Sequence, residues 1–347
     1  MGSSARIDWV DTAKALGIVA IVVGHDPGLP IPVRDFLYTF HVPLFFFMSG
    51  VLVKPEHLRA PFGQHVRRGA GRLLTPYVFF WTISFGLWCA FQSVAGKPPW
   101  TQTEVAAEHL VGFVLGTSQG LEAVNGPLWF YTALFTSTLA LYWLARPTAP
   151  WVLPAALAAL ALLQAGVVNA LAGQRVPWNL DLLPIATLFY GAGYAERDSL
   201  LSRSIRAPVL AVLLVALFAT TALVTHANGK VDMSWQFFGR LYWQYLAGSV
   251  AGTLMIVALA RLLPSSQLAR YLSRNSIIIF SIHFPMYFAF SGIGVYVLGL
   301  PPTFESDGSL PPLLYPILSL LLCVPAATIL WRFFPWGLGA RTSASKA

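Results

Sequence analysis

The feature that most constrains this chain is a succession of long, unbroken apolar runs. About ten follow one another, most of them near the ~20 residues that a bilayer crossing needs. Their approximate bounds are 8–25, 36–53, 74–95, 127–145, 151–172, 182–196, 206–225, 241–262, 274–299 and 312–334. Charged residues make up only 10% of the chain and hydrophobic residues 56%. Soluble domains carry about 25% charge. With a mean hydropathy of +0.65, the composition argues against a soluble enzyme, a disordered chain and a free nucleic-acid binder. A β-barrel is excluded because its strands would alternate polar and apolar residues over ~10 positions. The expected fold is all-α and polytopic, with residues 1–347 as a single transmembrane domain. Val105–Gly116 reads as a brief interfacial or re-entrant segment in the long connection 96–127.

Orientation follows from the cations. With the N-terminus in the cytoplasm, 16 of the 22 Lys and Arg fall on cytoplasmic loops. Arg34, Lys97, Arg175, Lys230 and Arg240 fall outside, and Lys14 lies within the first run. This positive-inside bias predicts both termini in the cytoplasm and accounts for the +8 net charge without invoking nucleic acid. Glu104, Glu108, Glu122, Glu305 and Asp307 fall on the outer side. No basic segment precedes the first run and no small-residue cleavage site follows it, so it reads as a retained helix. Cys89 and Cys323 sit in apolar runs and indicate no disulfide framework.

Polar residues are expensive inside a membrane, so their pattern is informative. The first run holds Asp11, Lys14 and His25. At ~100° per residue, Lys14 and His25 are about 1100° apart, only ~20° from three full turns, and roughly 16 Å apart along the axis. Asp11 and Lys14 are three positions apart and adjacent on a helix. One helix face thus carries an ion pair near its cytoplasmic end and an imidazole near its outer end. A plainer reading makes the pair interfacial, with Lys14 snorkelling, and His25 a satisfied helix-end histidine.

His41 lies in the aromatic second run and His283 deep in the ninth. Imidazole suits general-base chemistry. Two neighbouring histidines do not make a metal site, which wants three or four ligands. Arg67, Arg68 and Arg72 cluster before the third run, either as a positive-inside anchor or as a site for phosphates. Trp129 and Tyr131 open the fourth run, as an aromatic belt or a stacking surface for a sugar ring. Asn275 and Ser276 start the ninth run. There is no P-loop and no dinucleotide-binding glycine pattern. The His-x4-Asp pattern of soluble acyltransferases is also absent.

The string D-x2-K-x2-G-x7-H at Asp11, Lys14, Gly17 and His25 is followed by FHVPLFFFMSG at Phe40–Gly50. RRGAGRLLTPYVFF, GPLWFYTALF and NSIIIFSIHFP come after it in order. Together they resemble the acyltransferase-3 family over nearly the whole chain. The resemblance is strongest to the branch of fucose 4-O-acetylase-like and exopolysaccharide O-acetyltransferases. It implies about ten transmembrane helices in a bacterial inner membrane. It also implies transfer of an acetyl group from cytoplasmic acetyl-CoA, a co-substrate with no permanently bound cofactor. The implied acceptor is a sugar hydroxyl of a polysaccharide or lipid-linked oligosaccharide. His25 matches the family's essential histidine in its Arg-x10-His pattern, as general base or as acetyl carrier. Lys14 stands where many members have arginine, which keeps the charge but loses the bidentate fork. Arg67, Arg68 and Arg72 match the basic cluster associated with donor binding. The acidic residue that often precedes that cluster is not evident. On this resemblance Asp11 and Lys14 join His25 as the catalytic residues, along the path of the donor, and His41 or His283 orients His25 or stabilises the oxyanion. Trp129, Tyr131, Asn275 and Ser276 fall to acceptor contact or support. The chain reads as the stand-alone form, without a fused esterase-like domain.

Two other classes remain open at this point. Embedded histidines beside a charged stripe also suit a proton-coupled carrier or flippase for a lipid-linked sugar, and a sensor without chemistry is the third. The sequence shows no similarity between halves of the kind common in transporters.

Overall fold

The computed structural model describes residues 7–97, 101, 103–146, 149, 151–171, 173–302, 304–305 and 308–339. Arg6, Asp307, Arg341 and Lys346 lie outside these residues. The helices run α1 Asp8–Gly24, α2 Ile31–Val51, α3 Pro55–Arg59, α4 Phe62–Gly69, α5 Thr75–Val94, α6 Thr103–Leu115, α7 Ser118–Asn125 and α8 Trp129–Leu144. They continue as α9 Val152–Leu171, α10 Leu183–Ala195, α11 Arg197–Ser202, α12 Ala207–Asn228, α13 Tyr242–Leu262, α14 Gln267–Arg274, α15 Ser276–Gly292 and α16 Leu314–Phe333. A wide π-helical segment, Ala70–Leu74, joins α4 to α5. Among the described residues there is no strand, only an isolated bridge between Asp232 and Phe237.

Each predicted run falls on a helix, but not every helix is built alike. Six helical stretches among the described residues are long and apolar enough to cross a membrane: Phe62–Val94, Val152–Leu171, Ala207–Asn228, Tyr242–Leu262, Ser276–Val297 and Leu314–Phe333. The structure therefore shows six such helices where the sequence predicts about ten. Of the other four, α1 has 17 residues and carries Asp8, Asp11 and Lys14, whereas α8 and α10 have 16 and 13. The remaining helix, α2, carries Arg34 and Asp35 near its start. These helices are packed inside. Both α1 and α2 touch α13, and α2 also meets α10. A helix that faces protein can keep polar residues that lipid would not accept. By contrast only 11% of the apolar stretch of α12 is buried, and Val212, Val215 and Leu223 on it are about 70% exposed. Such a broad apolar face is suited to hydrocarbon rather than water.

Glycine lets the inner helices touch. A Cβ on Gly50 of α2 would stand 1.9 Å from the Tyr190 carbonyl of α10, and one on Gly193 would stand 2.0 Å from the Phe47 carbonyl. Small residues bring membrane helices to backbone contact in this way. Proline is accommodated just as specifically. Pro43 in α2 has no N–H for the Thr39 carbonyl one turn back, and Ser249 Oγ donates to that carbonyl at 2.7 Å. Pro285 in α15 frees the Ser281 carbonyl, which accepts from Asn125 Nδ2 at 2.8 Å.

The segment after α5 forms a helical hairpin. A Cβ on Gly112 of α6 would meet Gly120 backbone of α7 at 1.9 Å, so the two helices touch at their glycines. The hairpin returns to the bundle at Asn125, which is fully buried. Both ends of the described chain lie at the same end of the bundle. There Asp8 approaches Arg270 at 3.8 Å, and Gly339 packs against Gly71 and Arg72.

Candidate active site

Two internal cavities lie along the inner face of α1. The larger, about 320 Å³, opens among α1, α4, α8, α14 and α15, and the smaller, about 40 Å³, is lined by His25 and His41. Phe45, Phe130 and Phe280 line both.

The larger cavity is basic. Lys14, Arg68, Arg72 and Arg274 line it, and among the described residues no carboxylate does. Lys14 Nζ donates to the Ser273 carbonyl at 3.0 Å, while Ser273 Oγ donates to Asp11 Oδ1 at 2.6 Å. Asp11 and Lys14 thus hold the turn at the end of α14 that carries Arg274. Arg68 Nη1 is buried, with no hydrogen-bond partner among the described residues. A buried guanidinium nitrogen beside a cavity is disposed to receive an anion. The π-helical segment after α4 has a wider turn than an α-helix, and both Arg68 and Arg72 reach the cavity across it. Arg67, one step round from Arg68, is exposed and does not line the cavity. His57 joins the lining from α3. Burial holds its pKa below the ordinary histidine value, and the nearby charge of Arg68 lowers it further.

His25 and His41 line the smaller cavity, and the His283 ring packs beside His25. His25 caps α1, with its ring centroid 5.1 Å from that of His283 and 6.3 Å from that of His41. Their main-chain bonds share one pattern. His25 Nδ1 donates to the Ile21 carbonyl at 2.8 Å and His41 Nδ1 to the Leu37 carbonyl at 2.7 Å. His283 Nδ1 lies 3.1 Å from the Ile279 carbonyl and 2.8 Å from that of Phe280. A carbonyl only accepts, so Nδ1 carries the proton in each ring, and a neutral ring keeps its lone pair on Nε2. The buried His283 Nε2 has no partner among the described residues. Among those residues no group of three or more His, Cys, Asp or Glu is arranged to hold a metal ion. The turn behind His25 is fixed by Asp26, which accepts from the Gly28 and Leu313 N–H groups at 3.2 and 2.7 Å.

Trp129 lines this cavity and Tyr131 does not. Two positions on, about 200° round α8, Tyr131 borders the basic cavity and meets Ser281 Oγ through its hydroxyl at 2.7 Å. Ser276 also borders the basic cavity. Asn275 borders neither; its Oδ1 accepts from Trp331 Nε1 at 2.8 Å, tying α15 to α16.

Sequence reasoning missed Tyr38, Asp232, His57 and Arg274. The Tyr38 ring lies 4.8 Å from His41 and 5.7 Å from His25 by centroid. Its position three residues before His41 was the available signal. Asp232 and Ser234 reach the histidine cavity from the 229–241 loop, which nothing local in the sequence announces. Asp232 Oδ1 accepts from Ser234 N at 2.9 Å and Ser234 Oγ at 2.6 Å. Burial holds the Asp232 carboxyl above the usual carboxylate range. Arg175 clamps this loop by donating to the Ser234 carbonyl and pairing with Asp181 at 2.8 Å. Asn179 beside it donates to the Trp129 carbonyl at 3.2 Å and to Thr132 Oγ1 at 2.8 Å, which fixes the start of α8.

The family model of an acyltransferase domain, acyltransferase-3, matches residues 7–332. Nodulation protein NolL of Sinorhizobium fredii is 29% identical over 148 residues, covering 40% of this chain. The match spans 36% of that protein's own length. No solved structure matches. With the family model covering nearly all of it, the chain belongs to the acyltransferase-3 family.

Proposed function

We propose that this protein is a membrane O-acetyltransferase that moves an acetyl group from cytoplasmic acetyl-CoA to a sugar hydroxyl of a polysaccharide or lipid-linked oligosaccharide. The observation that carries this reading is the pair of cavities, basic at one end and histidine-lined at the other, bordered by the same three phenylalanines. The phosphates of CoA bind Arg68, Arg72, Arg274 and Lys14. The pantetheine arm runs along α1 toward His25, over the ~16 Å that separates Lys14 from His25 on a straight helix. The acceptor approaches from the opposite end, against Trp129, Tyr38 and Asp232.

The chemistry follows from the tautomer. His25 Nε2 takes the proton of the acceptor hydroxyl. The oxygen attacks the thioester carbon, the C–S bond breaks, and CoA leaves as thiolate, taking its proton from the His25 imidazolium. General-base action of this kind contributes ~10²–10⁴-fold. His283 and His41 flank His25, and with Nδ1 of each ring donating to the main chain their Nε2 lone pairs are acceptors, suited to the imidazolium that forms on His25. On this reading α1, α2, α8 and α10 also cross the membrane, to give about ten spans. The basic end and both termini face the cytoplasm of a bacterial inner membrane.

Purified protein incubated with labelled acetyl-CoA, together with glycan mass spectrometry with and without the protein in cells, tests the reading. Donor binding and a glycan mass change of one acetyl group are expected. Transport of a lipid-linked sugar in proteoliposomes that needs no acetyl-CoA would establish a carrier instead.

A further inference from the structure

Phe45, Phe130 and Phe280 come from three different helices, α2, α8 and α15, and are the residues that line both cavities. The Phe130 ring centroid is 6.3 Å from that of Phe45 and 5.5 Å from that of Phe280. All three are only half-buried although they sit inside the bundle, because each ring borders open space. They are also backed. Phe46 packs under Phe130 at 4.7 Å, and Tyr131 meets Phe280 at 5.8 Å. Gly17 of α1 seats Phe45, since a Cβ there would stand 2.9 Å from its ring. Beyond these rings the histidine cavity has a volume of about 40 Å³. That is one-eighth of the volume on the donor side of the rings, so the space favours an acyl end of few atoms. An acetyl group has three non-hydrogen atoms and a butyryl group five.

We propose that Phe45, Phe130 and Phe280 set the acyl length, admitting the two-carbon acyl end of a thioester to His25 and turning longer acyl groups back. This inference rests on the acyl-CoA donor reading. A fixed apolar wall rejects one added methylene by ~10–200-fold.

The test uses membranes holding the full chain, supplied with acetyl-CoA, propionyl-CoA or butyryl-CoA. It reads loss of the acyl group from CoA above the level of membranes holding His25→Ala. In this loss an oxygen of water or of an acceptor hydroxyl bonds the acyl carbon, the C–S bond breaks, and the displaced proton reaches the CoA thiolate through His25. The expected wild-type preference for acetyl over butyryl is at least ~100-fold. In Phe280→Ala and Phe130→Ala it falls to about 10-fold or less. Partial misfolding lowers every donor alike, so the ratio reports the constriction alone. A wild type that spends acetyl-CoA and butyryl-CoA equally, or a ratio unchanged in both variants, overturns the acyl-length proposal and leaves the donor reading intact. A wild type with no acyl loss above His25→Ala overturns the donor reading.

Discussion

His25 and His283 face one another with ring centroids 5.1 Å apart, and each donates its Nδ1 proton to a main-chain carbonyl of its own helix. The two bonds fix two rings in one tautomer and direct their lone pairs away from the backbone. His25→Ala is expected to lower acetyl transfer by ~10²–10⁴-fold with the protein still folded. His283→Gln should cost less, because it removes a flanking group and not the base. Acetylation assayed by glycan mass spectrometry decides this, and near-normal transfer in His25→Ala would sink the assignment.

Arg67 and Arg68 are adjacent in sequence but differ in the fold. Arg68→Ala should weaken acetyl-CoA binding by about 10- to 150-fold, the equivalent of a charged hydrogen bond worth ~1.5–3 kcal/mol. Arg67→Ala should change it less than threefold, because the side chain is solvated. Equilibrium binding of labelled acetyl-CoA to the two variants distinguishes a phosphate site from a general basic surface. Equal effects would remove the distinction.

His57 gives the donor site a pH dependence. Its pKa is held below 6.5 by burial first and by Arg68 second. A bound phosphate favours the protonated ring and raises that pKa, so donor affinity should rise as pH falls below about 6.5 and level off once the free ring is also protonated. Without donor the sign for folding is opposite to the ordinary gain from a paired histidine. The unfolded chain binds the proton more readily, so stability falls as pH drops below 6.5. His57→Gln should flatten the affinity profile between pH 5 and 7, within which the unperturbed ring titrates. A profile with the same slope in that variant would exclude His57 as its origin.

Gly50→Ala tests the contact between α2 and α10. The added methyl has only 1.9 Å to the Tyr190 carbonyl, which is backbone and cannot rotate aside. Overpacking of this kind costs ~1–3 kcal/mol, and a lower thermal midpoint in detergent is expected. Gly63→Ala is the control, since nothing lies within 4 Å of its added carbon. It should leave the midpoint unchanged or raise it slightly. Equal midpoints for the two variants would count against the close packing.

The amino-acid sequence by itself determined the elements. Apolar run length specifies the ten helices on which the runs fall, and the spacing of Asp11, Lys14 and His25 specifies one polar face on α1, because helical periodicity is a local property. Tertiary structure decided which of the polar residues meet. Tyr131 and Trp129 are two positions apart and face different cavities, and Asn275 serves a helix contact instead of a site. Asp232 and Arg274 belong to distant segments that reach the cavities only through packing. The division of the interior at Phe45, Phe130 and Phe280 was likewise unreadable in advance. Each phenylalanine is ordinary in its own apolar run, and a constriction exists only once three helices are set against one another.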